Sequence, residues 1–96
     1  MNGEIVETLV NGLGDKGNRK NNLTLLINRL LSRNIYPEQA SALVLIANKN
    51  TKKPLPLRKI TKIMNLAIEK EIKRRKTIEE INNILHEIDL DINRLN

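Results

Sequence analysis

Leu23, Leu26, Ile27, Leu30 and Leu31 stand at i, i+3, i+4, i+7 and i+8. That spacing places five aliphatic side chains on one side of a helix and scatters them over both faces of a strand. The restriction matters because the chain has no Phe, no Trp and one Tyr. Leu, Ile, Val and Ala must build the core, which suits helix packing and gives little support to a sheet of alternating β-branched and aromatic residues. The pattern predicts an all-α fold, a compact bundle of about five helices. At 96 residues the chain makes one domain with a modest core.

Read in order, the helices begin with residues 2–13. There Ile5, Val6, Leu9, Val10 and Leu13 share a face, and Gly12 and Gly14 mark the end. The second helix opens at Arg19 or Lys20, with Asn18 as a candidate N-cap, and runs to about Arg33. Tyr36-Pro37-Glu38 opens the third, proline being well placed at a first helical position. Its apolar residues Ala40, Leu43, Val44, Leu45, Ile46 and Ala47 cover much of the circumference, which predicts a central helix. Pro54-Leu55-Pro56 is a non-helical entry into a fourth helix from about Leu57 to Lys73. Thr77-Ile78-Glu79-Glu80 reads as a capping box that starts a fifth. These boundaries predict a bundle over residues 1–76 and an acidic amphipathic helix over 77–96, packed on the same domain or on a partner.

Charge is distributed unevenly. Residues 49–76 carry eleven Lys or Arg against Glu69 and Glu71, a local balance of +9, so the remainder sums to −3 within a net +6. Lys59, Lys62, Lys70 and Lys73 fall in a narrow arc away from the apolar stripe of Ile60, Ile63, Met64, Ala67 and Ile68. Such a concentration suits an anionic partner, most often nucleic acid, and also suits a solvated face. The helix start Gly17-Asn18-Arg19-Lys20-Asn21-Asn22 offers a glycine, two cations and backbone N–H groups at the positive end of a helix dipole. It could hold phosphate or serve as a turn with an asparagine bonded to a neighbouring loop.

Convergent catalytic groups are not apparent. His86 has only Asp89 at helical ligand spacing, which makes a weak metal pair. Gly12, Gly14 and Gly17 follow no strand and make no dinucleotide fingerprint. The chain has no cysteine, which excludes disulfides and thiolate metal sites and is compatible with a reducing cytoplasm. No segment has the pattern of a signal peptide or a membrane span. No cofactor, metal site or catalytic residue is expected.

Four pieces of the chain together resemble the primase C-terminal helical domain family. They are residues 17–22 with the Leu-rich helix after them, the Ile35-Tyr36-Pro37-Glu38 helix start, Pro54-Leu55-Pro56, and the helix holding Ile60 and Ile63. The family pattern is a Gly-x-Arg-Asn-Asn start, a Leu-rich helix, a second helix and a Pro-Leu loop into a third. The resemblance covers roughly residues 12–70. Lys20 interrupts the Arg-Asn-Asn run, and Arg58 and Lys59 stand where an acidic residue often follows the Pro-Leu loop. The resemblance implies a noncatalytic accessory part of a DNA replication primase of phages, plasmids or other mobile elements. Such a part holds single-stranded template or the initiating nucleotide, or connects a prim-pol catalytic domain to a helicase.

On this reading Arg19, Lys20, Lys52, Lys53, Arg58, Lys59, Lys62, Lys70 and Lys73 are the candidate nucleic-acid-binding residues. Without Phe or Trp, Tyr36 is the single candidate for base stacking, and a partly buried ring beside Pro37 is the expectation. The alternative is a protein-interaction module. Ile78, Ile81, Leu85, Ile88, Ile92 and Leu95 alternate spacings of three and four, a short heptad face that could dock a helicase, a loader or a second copy. A helix-turn-helix reader of duplex DNA ranks last, because residues 37–47 carry few basic or amide side chains.

Overall fold

A computed structural model of the chain describes residues 3–95, and the side chains of residues 3–89. All regular structure among them is helical, in four segments: α1 (Gly3–Asn11), α2 (Arg19–Ser32), α3 (Pro37–Lys49) and α4 (Leu57–Leu95). The expected fifth helix is the second half of α4, which runs unbroken for 39 residues. Thr77 does not cap anything. Its Oγ1 donates to the Lys73 carbonyl 2.9 Å away, the back-bond of a threonine inside a helix. The run Lys73-Arg74-Arg75-Lys76 is made of good helix formers and contains no breaker, so the helix propagates past the capping signal.

Helix α2 is the hub, packed against α1, α3 and α4. Its five stripe residues, Leu23, Leu26, Ile27, Leu30 and Leu31, are all buried. Ile5, Leu13, Ala40, Val44, Ala47, Leu55, Ile60 and Met64 complete the core, with Leu9, Ile35, Leu43, Ile63, Ala67 and Ile68 packed against it. The expectation that α3 is central does not hold. Leu45 and Ile46 are about half exposed, and α3 buries only the Ala40, Val44 and Ala47 side. In α1, Ile5 is buried while Val10 is 64% exposed, and Leu13 enters the core from the loop after the helix.

The ends of the first two helices follow from backbone chemistry. Gly12 has φ +91° and its N–H donates to the Thr8 carbonyl (2.9 Å), a left-handed C-terminal cap. Asn34 (φ 62°) ends α2 in the two-bond form: the Ile35 N–H reaches the Leu30 carbonyl and the Asn34 N–H reaches that of Leu31. Ile35 then packs on the core, as the apolar residue after such a cap does. Asn18, by contrast, makes no side-chain cap bond. The turn into α2 is closed by the Asp15 carbonyl, which accepts from the N–H groups of Asn18 and Arg19.

Side chains from neighbouring elements satisfy the loops. Leu13 is buried with its N–H on Thr51 Oγ1 (2.8 Å) and its carbonyl on Asn22 Nδ2 (2.6 Å). Thr51, itself buried, donates a hydrogen bond through its hydroxyl to the Ala47 carbonyl. Asn50 Nδ2 donates to the Leu9 carbonyl. Asn48 clamps Leu55 from both sides, accepting its N–H and donating to its carbonyl.

Gly12 and Gly17 differ in consequence. A Cβ on Gly12 would lie 2.6 Å from the Asn50 carbonyl oxygen, in a backbone conformation that L side chains avoid, whereas a Cβ on Gly17 meets nothing within 4 Å. Gly12→Ala is therefore expected to cost about 2–4 kcal/mol of stability. Gly17→Ala should stay within about 0.5 kcal/mol of the parent. Urea denaturation of the two variants checks the contrast.

Candidate nucleic-acid interface

Two of the cation-bearing segments meet at the start of α2. The half-buried Arg19 donates through Nη1 to the carbonyls of Lys53 and Pro54, the latter at 3.2 Å. Its Nε is buried without a hydrogen-bond partner. The guanidinium therefore holds the segment that precedes the Pro54-Leu55-Pro56 entry, and its charge lies inside the loop junction. Lys20, one residue on, is exposed. Asn22 bonds the Leu13 carbonyl. The Gly-x-Arg start thus works as a loop clamp, and of its two cations Lys20 is the one presented to solvent.

Helices α2 and α4 run in the same direction, as their paired residues show. Lys20 shares a depression with Lys59, Lys62, Ile63 and Leu66. Thr24 and Asn28 share the next with Ile63, Leu66, Ala67 and Lys70. The two depressions have Ile63 and Leu66 in common and form one groove along the α2–α4 seam. Its floor is aliphatic, with Leu66 53% exposed, and Lys20, Lys59, Lys62 and Lys70 stand around it. Among the described residues the ion pairs are Arg29–Glu4, Arg74–Glu71 and Arg75–Glu71, so none of the four groove lysines is paired. Thr24 and Asn28 occupy successive turns of α2 and bring polar side chains to the other wall.

The remaining candidates fall elsewhere. Lys52 and Lys53 line a separate depression with Gly14, Asp15 and Lys16. Arg58 and Lys73 are exposed on α4 and line neither depression of the groove. Tyr36 is 69% exposed on the turn between α2 and α3, against the expectation of a partly buried ring. Ile35 takes the apolar place in that turn instead. Tyr36 lies at the opposite end of α2 from Lys20. Among the described residues no group of His, Cys, Asp and Glu could hold a metal ion, and no helix is long and apolar enough to cross a membrane.

The groove ends where a second arginine ties α4 to α2. Arg75 Nη2 donates to the Leu31 carbonyl (3.0 Å) and the Ile35 carbonyl (3.4 Å), and its Nε donates to Glu71 Oε1 (2.9 Å). These are carbonyls that a helix C-terminus leaves without intrahelical partners, and a cation there also meets the negative end of the dipole. Sequence reading counted Arg75 as one more surface charge. Its position one turn beyond Glu71 was the available signal.

A family model described as primase C terminal 1 (PriCT-1) matches residues 7–73. The chain belongs to this family. No curated protein and no solved structure matches it. The primase C-terminal match spans the second half of α1, all of α2 and α3, and α4 as far as Lys73, two residues before Arg75. Every feature described above for the groove and the loop clamp lies inside it. The second half of α4 lies outside.

Glu71 is the acidic member of the cluster that closes the primase C-terminal bundle. Hydrogen bonds from Arg74 hold its carboxyl below the ordinary 4.5, against the upward pull of burial, and Arg75 adds to the lowering. The folded state therefore favours the ionised carboxylate. Its contribution to stability is complete above the unfolded pKa and is lost as pH falls through the lower folded value. The melting temperature of Glu71→Gln should fall below that of the parent at neutral pH, and the gap should close progressively as the pH drops below 4.5. Thermal melts across that range test it; a pH-independent gap rejects the linkage.

Proposed function

We propose that this domain is a noncatalytic accessory part of a DNA replication primase that holds single-stranded template in the α2–α4 groove. The observation that carries the reading is the convergence of Lys20, Lys59, Lys62 and Lys70 around the Ile63–Leu66–Ala67 floor. Lysines at the rim supply point charges for phosphates. An aliphatic floor accepts sugars and base faces without selecting among them, and Thr24 and Asn28 add neutral hydrogen-bonding groups. The absence of Phe and Trp fits a strand held by its backbone, without stacked bases. Family membership supports placement beside a primase catalytic domain, where the metal-binding carboxylates would reside. The initiating nucleotide carries the same anionic groups and would meet the same lysines.

Arg19 has a structural part in this scheme. With its guanidinium on the Lys53 and Pro54 carbonyls, Arg19→Ala should lower stability by about 1–3 kcal/mol. Denaturation separates that loss from any change in binding measured at a temperature where the variant is folded.

The binding test is a titration of single- and double-stranded oligonucleotides, with and without ATP, at two salt concentrations. Four phosphate contacts give a slope of about −3 in log K against log salt for a single strand. Exchanging Lys59, Lys62 and Lys70 for Glu should abolish binding with helicity intact. Affinity unchanged by those substitutions rejects the groove as the site, and preference for the duplex rejects single-stranded template as its occupant.

A further inference from the structure

Beyond Arg75 the face of α4 that packs on α2 continues with no helix against it among the described residues. Ile78, Ile81, Leu85 and Ile88 carry it at alternating spacings of three and four, and Ile84 broadens it. Each of the five is 40–57% exposed. Ile92 and Leu95 extend the spacing in sequence and lie outside the residues whose side chains are described. A helix in water draws most of its stability from an apolar face packed on something. This segment is propagated from the packed half of α4, and no described residue of another element covers that face.

We infer that the occupant is the same segment of a second copy, laid antiparallel, forming a two-stranded coiled coil about a twofold axis. Charge along α4 selects this arrangement. The root of the overhang is basic, with Lys70, Lys73, Arg74, Arg75 and Lys76 against Glu71, which Arg74 and Arg75 share, and the segment beyond it holds Glu79, Glu80, Glu87 and Asp89. Arg74 is seven residues before Ile81 and Lys70 eleven before it, so both sit on the apolar face as it continues towards the bundle. Asp89, eleven residues after Ile78, borders the same face at the far end. A parallel pair would set Lys70 and Arg74 against their own copies and Asp89 against Asp89. An antiparallel pair lays the acidic end of each helix beside the basic root of the other. The same surface meets itself, as a closed twofold dimer requires. The α2–α4 groove lies on the packed half of α4 and shares only Lys70 with this face, and Ile81 and Leu85 line neither of its depressions.

Sedimentation equilibrium of the full chain tests the association. A reversible dimer is expected, and Ile81→Lys with Leu85→Lys should return it to monomer, each lost side chain weakening association by about tenfold or more. The melting of the bundle should be unchanged, because neither residue belongs to its core. Orientation is read on the otherwise unaltered chain, which has no cysteine. A spin label on Ile72→Cys, opposite the apolar face, should report a separation on the order of 35 Å or more in the antiparallel pair, against about 25 Å in a parallel one. A chain that stays monomeric overturns the inference, including one that instead takes up a different protein on this face. A dimer indifferent to the two substitutions also overturns it, as does the short label distance.

Discussion

Two arginines, each donating to backbone carbonyls of a different segment, fix where α4 lies, and the groove depends on that position. Arg19 ties the start of α2 to the approach to α4, and Arg75 ties α4 back to the end of α2. Aliphatic packing alone leaves the sliding of one helix along another weakly determined, because Leu and Ile side chains offer many similar contacts. Charge-assisted hydrogen bonds to carbonyls have narrow geometry and set the axial offset. Between these two points α2 and α4 run side by side, and the groove is the surface furrow of that parallel pair. Asn22, Asn48, Asn50 and Thr51 serve the loops in the same way, bonding backbone groups that the connections leave open.

Much of this was readable in the sequence where periodicity carried it. The five-residue stripe of α2 lies wholly in the core, and the Pro54-Leu55-Pro56 entry precedes α4 as predicted. The family resemblance, drawn from short motifs, agrees with the match over residues 7–73. Spacing also placed Lys59, Lys62, Lys70 and Lys73 on one arc; the structure gathers the first three with Lys20 of another helix, a juxtaposition no single-helix pattern could show, and leaves Lys73 outside the groove. What failed were local signals that compete with context. Thr77 and Glu80 form a capping box by composition, yet the four cations before them extend the helix without a break. Gly12 was legible as the glycine that ends α1, but its closeness to the Asn50 carbonyl was not, because Asn50 comes from a distant loop. Arg19 and Arg75 read as surface cations since sequence gives a charge but not the carbonyl facing it.

The limits of the family match and of the packing fall within a few residues of each other. Residues 7–73 contain the bundle apart from the first turn of α1 with its core residue Ile5, and Arg75 is its last tie to α4. The helix does not recognise that limit. It carries the same fibre of backbone hydrogen bonds from Leu57 through Leu95, and it sets the 63 Å long dimension of the molecule.

That continuity imposes a phase relation. With no joint between the basic groove and the overhanging face, the angle between them is set by residue count alone, at about 100° and 1.5 Å for each residue. Adding one residue after Lys76 would swing the aliphatic face by more than a quarter turn relative to the groove, while adding seven would nearly restore it and lengthen the reach by about 10 Å. The stretch from Lys76 to Ile78 therefore behaves as a gear tooth: its side chains can vary, but its length cannot drift without re-aiming everything beyond it.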